Sequence, residues 1–337
     1  MNHTKLSKYL NWFLRLLIII ASYGYIYYQL VVKGKFGNLI AGLDRIKHDN
    51  LIFYLLVVVI LLVPANWSLE ALKWKYAISK LENISFQKAL KGVLTGLTVS
   101  TVSPNRIGEF FGRLFYLEKS NRIKAGLISI MSSFSQLIVT LILGSISFII
   151  FVNQYYTTFF EIHPVMNILL YVVNVLLIVA LLLIYFKMCR VRYLLGLLPV
   201  GWFRKAEVYV SVLSYYNALE LFKILIYSLI RYAVFSFQFY LLMRIMGIEI
   251  LYWEGMFIIS LIYFLMSAIP TITLAELGLR GSVSMAVVEF YFRSAPDRIS
   301  EMTSAALAAS SMVWILNLVI PAIVGGLFLI HAKIVKE

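Results

Sequence analysis

Crossing the roughly 30 Å hydrocarbon core of a bilayer takes about 20 consecutive apolar residues in a helix, and this 337-residue chain supplies such runs repeatedly. They fall near 11–32, 50–70, 124–152, 164–186, 221–246 and 302–331. Backbone polar groups in lipid must be satisfied within the spanning segment, so helices are the plain solution for runs of this length. Composition agrees: 61% of the residues are hydrophobic and 14% charged, against about a quarter charged in soluble domains. The expected fold is all-α, a polytopic transmembrane helical bundle forming a single integral membrane domain over 1–337. The first run follows Lys5 and Lys8, ends in Tyr23, Tyr25, Tyr27 and Tyr28, and lacks a small-residue cleavage site. It reads as an uncleaved span rather than a signal peptide.

Two further apolar stretches are interrupted. The stretch 86–118 is broken at Ser103, Pro104 and Asn105, and 254–291 is broken at Pro270, Thr271, Ile272 and Thr273. Proline inside a helix removes a hydrogen bond and clashes with the preceding turn, so each break ends one helix and starts another. The returning arm 105–118 reaches only about 21 Å at 1.5 Å per residue, too short to cross comfortably. Both stretches are therefore expected to be re-entrant hairpins that enter and leave on one side.

Positive charge sets the orientation. With the N-terminus in the cytoplasm, three basic groups fall inside: Lys73, Lys75, Lys80, Lys88 and Lys91; Arg113, Lys119, Arg122 and Lys124; and Lys187, Arg190, Arg192, Arg204 and Lys205. The segments 153–163 and 247–254 carry no Lys or Arg and fall outside, while 33–50, with Lys33, Lys35, Arg45 and Lys47, is the exception. Both termini come out cytoplasmic. Hairpin one then opens to the cytoplasm and hairpin two to the outside, as in two inverted repeats with halves near 1–160 and 161–337. The formal net charge of +14 sits at the ends of the apolar runs, which suits anionic lipid headgroups and not nucleic acid.

The two breaks carry similar chemistry. Pro104 is followed by Arg106, Gly108, Glu109 and Arg113; Pro270 is followed by Thr273, Glu276, Gly278 and Arg280. Each has a proline, a small residue and Glu-x-x-x-Arg. Ionisable side chains inside a membrane are functional candidates by default, which adds Arg231 in the 221–246 run. Half-helix N-termini at midplane together with Arg106, Arg113, Arg231 and Arg280 would cradle a phosphate headgroup. The candidate substrate-binding set is completed by Ser103, Asn105, Glu109, Gln238, Thr271, Thr273 and Glu276.

Structural roles compete for the same residues. Glu before Arg at i,i+4 is the favourable within-helix ion pair, and Thr273 with Glu276 fits a capping box. Gly92 and Gly96, with Gly108 and Gly112 on the opposite arm, read as close helix packing. Asn66, Glu70 and Lys73 share one helix face and read as a cytoplasmic interfacial ion pair, and 191–205, with Trp202, Phe203, Arg204 and Lys205, reads as an amphipathic elbow on the cytoplasmic surface. One cysteine, Cys189, and four scattered histidines show no metal-ligand spacing. No metal, cofactor or catalytic constellation is expected.

At Pro104, Gly108, Glu109 and Arg113 the sequence resembles the membrane domain of bacterial lysylphosphatidylglycerol synthase/flippase proteins, whose first half carries a Pro-x-x-x-Gly-Glu-x-x-x-Arg-like motif. The family's second motif, Pro-Gly-Gly-Leu-Gly-x-x-Glu-like, is met here by Pro270 followed by Leu274, Ala275, Glu276, Leu277, Gly278, Leu279, Arg280 and Gly281. Ala-Glu stands in place of the Gly-Gly pair, and the trailing acidic residue is absent. The resemblance runs over nearly the whole chain in length and span order. It implies movement of lipids between leaflets of a bacterial inner membrane, with an anionic phospholipid or polyprenyl-phosphate-type lipid as partner. The soluble aminoacyl-transferase part is not among these residues, so lysyl transfer is not expected and the protein reads as a transporter more than an enzyme. A membrane-embedded transferase or accessory protein for lipid-linked intermediates, a small-anion carrier, and a homo-oligomeric state stay open.

Overall fold

A computed structural model describes residues 50–101, 103, 106–118, 120–188, 209–269 and 273–330, together with five isolated positions of the first apolar run. The 11–32 span as a whole and the 191–205 elbow lie outside the described residues. Every described element is helical: α1 (Asn50–Ile78), α2 (Phe86–Thr101), α3 (Gly108–Leu114), α4 (Arg122–Tyr155), α5 (Thr157–Ile162), α6 (Pro164–Lys187), α7 (Ala218–Ile245), α8 (Tyr252–Ala268), α9 (Thr273–Tyr291), α10 (Pro296–Trp314) and α11 (Ile320–Leu329). A short 3-10 turn, Ser211–Tyr215, precedes α7, and a π turn, Ile315–Val319, joins α10 to α11 in one continuous rod. Helices α1, α4, α6 and the α10–α11 rod are each long and apolar enough to cross a membrane.

Local chemistry fixes the starts. Asn121 caps α4 by accepting from the backbone N–H of Ile123 (2.9 Å) and Lys124 (3.3 Å). Asn217 and Glu220 form a reciprocal capping box on α7, satisfying two otherwise orphaned donors. Pro164 and Pro296 open α6 and α10, where a missing N–H costs nothing. The last rod begins six residues before the expected 302 because Asp297, Arg298 and Glu301 in its first turns mask the helix from hydropathy. For the same reason α1 runs past the expected 70 to Ile78: Glu70, Lys73 and Lys75 continue the helix and do not end it.

Both interrupted stretches break where proline stands. Helix α2 stops at Thr101 and α3 starts at Gly108; α8 stops at Ala268 and α9 starts at Thr273. The α2 and α3 arms pack closely: a Cβ on Gly96 would lie 2.5 Å from the Glu109 carbonyl oxygen, and one on Gly112 would lie 2.5 Å from Gly96 Cα. Glu82, just before α2, accepts from the backbone N–H of Glu118 and Ser120, both at 3.1 Å, so the two ends of this hairpin are tied together.

The packing partners follow a pattern. Helix α1 lies on α7; α2, the first arm of hairpin one, lies on α11, while α8, the first arm of hairpin two, lies on α4; and the second arms contact the helix that follows them, α3 on α4 and α9 on α10. Exchanging the two halves of the chain maps these pairs onto one another. Two apolar clusters result, one around Trp74, Leu97, Ile128 and Trp314 and one around Phe239, Ile259, Val288 and Ala309. The site described next draws lining residues from both.

Candidate functional site

Between the two hairpin tips lies a cavity of about 630 Å³ lined by residues of α1, the first tip, α4, α7, α8, α9 and the π turn. Its charged side chains come from four separate parts of the sequence. Helix α1 presents Asn66, Glu70 and Lys73 on one face, with Trp67 beside them. The first tip presents Arg106, in the left-handed region at φ 57°, and Glu109 in the first turn of α3. Helix α7 presents Arg231, and α9 presents Glu276 in its first turn with Arg280 one turn on. Both tip glutamates stand where the helix dipole favours negative charge.

These groups form one ion network. Glu70 accepts Arg113 at 2.9 Å, and its other oxygen lies 2.8 Å from Lys73 Nζ and 3.2 Å from Arg231 Nη1. Arg113 also bonds Glu109 one turn before it, and Arg280 pairs with Glu276 at 3.2 Å. Arg106 joins the tips, 3.9 Å from both Glu109 and Glu276. Arg231 further donates to Gln136 on α4 at 3.5 Å and stacks on Trp67, 5.1 Å from the ring centre. The Glu70 and Lys73 side chains are only 2% and 1% exposed.

The arrangement corrects one expectation and separates others. Glu70 and Lys73 do form the expected ion pair, but it is buried inside the bundle and not at a solvated surface. They lie at the centre of the network, because α1 continues as a helix through them and turns its polar face inward. Arg106, Glu109, Arg231, Glu276 and Arg280 all line the cavity. Arg113 is wholly buried behind it, reaching the site through Glu70 and Glu109. Ser103 is turned into its own loop, where its hydroxyl accepts from Gly108 N at 2.7 Å and donates to Ser100 O at 3.3 Å. Gln238 lies deeper, donating to Val59 O at 2.9 Å and accepting from Asn317 at 2.7 Å; Asn317 in turn accepts from Asn66 at 3.0 Å. That amide ladder ties α1, α7 and the π turn together beneath the cavity floor. Asn105 and Thr271 lie outside the described residues; Thr273 begins α9, its side chain outside them.

Sequence reasoning passed over Trp67, Gln136, Tyr263, Trp314 and Asn317, all of which line the cavity. Asn317 and Gln136 carried a signal, each as an amide inside a long apolar run. Among the described residues no group of His, Cys, Asp or Glu is placed to hold a metal ion.

Chemically, the site is a cationic pocket with its carboxylates already engaged and its Glu70–Lys73 pair buried. It suits recognition of an acceptor-rich anion through charge-assisted hydrogen bonds. The chain matches the family model described as "Lysylphosphatidylglycerol synthase TM region" over residues 12–325, and it belongs to that family. No curated protein and no solved structure matches it. It is an integral membrane protein of a lipid-related family.

Proposed function

We propose that this member of the lysylphosphatidylglycerol synthase transmembrane family moves a lipid between leaflets, holding its anionic headgroup between the two hairpin tips. The observation that carries the reading is the charged cavity itself, joined across the tips by Arg106 and Glu276. Ionisable groups at membrane depth mark substrate pathways. Several apolar lining residues, among them Ile130, Leu137 and Ile269, are exposed, so the cavity has an apolar, uncovered side. A headgroup can therefore sit among the arginines while its acyl chains stay in the bilayer, an arrangement that a soluble anion would not need.

An inverted-repeat plan fits the same reading. The exchange pattern of packing partners and the paired Glu-x-x-x-Arg motifs are what two inverted halves would produce; the seven-residue α3, about 11 Å long by helix rise, suits a re-entrant arm in the first half, whereas its counterpart α9 runs 19 residues. On the charge bias of the loops, both termini face the cytoplasm of a bacterial inner membrane.

The test is leaflet exchange of headgroup-labelled lipids in liposomes holding the purified protein, beside an Arg106→Gln, Arg280→Gln variant. Rapid exchange lost in a folded variant is the expected result. Exchange that persists in the variant would remove the tips from the pathway. A new covalent lipid product would point instead to a transferase, and saturable uptake of a soluble anion to a carrier.

A further inference from the structure

We infer that the headgroup taken by this cavity is a dianion, a phosphomonoester or a pyrophosphate-type group, and not the singly charged phosphodiester of an ordinary phospholipid. The inference takes the cavity as the headgroup site proposed above and asks which charge it fits. Five cations (Lys73, Arg106, Arg113, Arg231 and Arg280) meet three carboxylates (Glu70, Glu109 and Glu276) in one connected network, an excess of two positive charges. The carboxylates have little left to give: Glu70 is shared by three cations, and Glu109 and Glu276 by two each.

Hydrogen-bonding capacity is lopsided in the same direction. Eight buried donor atoms on described cavity-lining residues have no hydrogen-bond partner: Trp67 Nε1, Lys73 Nζ (held only by its ion pair with Glu70), Arg106 Nε, Arg231 Nε, Tyr263 Oη, Arg280 Nε and Nη1, and Trp314 Nε1. The corresponding acceptors are Asn66 Oδ1 and Glu70 Oε2, the latter already within ion-pair distance of Lys73 and Arg231. These atoms are closed to a water-sized probe as the side chains stand, so an acceptor reaches the arginine donors only when Arg106, Arg231 or Arg280 turns toward it, and each unmade bond costs free energy until then. Water can occupy an N–H, but it cannot cancel a charge. A phosphomonoester presents three terminal oxygens and two charges above a second pKa of about 6, whereas a diester presents two free oxygens and one charge. Arg106, whose 3.9 Å contacts to the two tip glutamates are the loosest in the network, is the cation such a ligand captures.

The experiment compares ligands on one wild-type protein in detergent micelles. Thermal stabilisation is titrated with dihexanoyl phosphatidic acid, dihexanoyl phosphatidylglycerol and inorganic phosphate at pH 7.5 and 5.5. Phosphatidic acid is expected to act at a concentration about tenfold or more below phosphatidylglycerol at pH 7.5, from one extra charge in a weakly screened site. That advantage should shrink at pH 5.5, where the monoester gains a proton and the diester does not. It should also shrink in Arg106→Gln; an undiminished preference there would overturn the assignment to this cavity. Equal potency of the two lipids at both pH values would overturn the dianion inference and leave the lipid function standing. Inorganic phosphate as potent as phosphatidic acid would keep the dianion and overturn the lipid reading. Silence from all three probes would overturn both.

Discussion

Glu70 is the carboxylate on which the network turns, and Glu70→Gln isolates its contribution. Three cations lie within 3.2 Å of its two oxygens, and the side chain is 2% exposed. At an effective dielectric of about 20, each contact near 3 Å is worth about 5 kcal/mol of Coulomb attraction, most of it offset by desolvation of the charges. What remains is best judged from buried pairs broken on one side, which lose about 3–5 kcal/mol because an uncompensated charge stays behind. Here three cations stay behind and the local excess rises from two charges to three, so the loss belongs at the upper end, about 4–5 kcal/mol. Unfolding in mixed micelles, followed by tryptophan fluorescence in the absence of added lipid, reads it directly; Trp67 and Trp74 flank Glu70 on α1 and are both buried. The second half of the cycle is Glu70→Gln with Lys73→Met. Lys73 pairs with Glu70, so removing it restores the excess to two and should recover about 1–2 kcal/mol. A loss below about 1 kcal/mol for Glu70→Gln alone, typical of solvated surface pairs, would refute a desolvated network and with it the basis for a charge-selective site.

Three further outcomes are expected. Gly96→Ala places a Cβ 2.5 Å from the Glu109 carbonyl oxygen. Backbone must therefore move, costing about 1–3 kcal/mol in unfolding and slowing lipid exchange, since α3 carries Glu109 and Arg113. Asn317→Leu leaves Asn66 and Gln238 without their shared partner and should cost about 1–2 kcal/mol by the same unfolding measurement, the range for buried hydrogen bonds in bilayers. Lys88→Ala removes contacts to Glu118 at 2.8 Å and Glu82 at 3.9 Å, but the pairs are partly exposed, so stability should change by less than about 1 kcal/mol; a larger drop would show that the tie at the foot of hairpin one does more than its exposure implies.

Most of the fold was legible because its signals are local. A long apolar run and a proline break each act within a few residues, and the described helices begin and end near where those signals stand. Boundaries failed where charge entered a helix. At Pro296 and again at Glu70, hydropathy averaged a polar turn into an apparent end, although the helix continued.

The same blindness hid the part of the site that α1 supplies. A helix leaving the membrane and a helix turning charge toward a buried cavity both show Glu and Lys three residues apart, so spacing on α1 could not separate an interfacial pair from Glu70 and Lys73 at the network's centre. Within each hairpin the motif is self-balanced, Glu109 with Arg113 and Glu276 with Arg280, which is why either one alone also reads as a helix staple. The site exists only through the ties between segments: Arg106 to Glu276 across the tips, Arg113 to Glu70, and Arg231 to Glu70. Those ties are tertiary, set by how α1 and α7 pack beside the hairpins. They also bring in the two cations left over when each carboxylate is paired once: Arg106 reaches both balanced motifs, and Arg231 reaches Glu70. The excess of two is therefore a property of the assembly, one charge from the first tip and one from α7, and any test of what the cavity binds must act on the folded bundle.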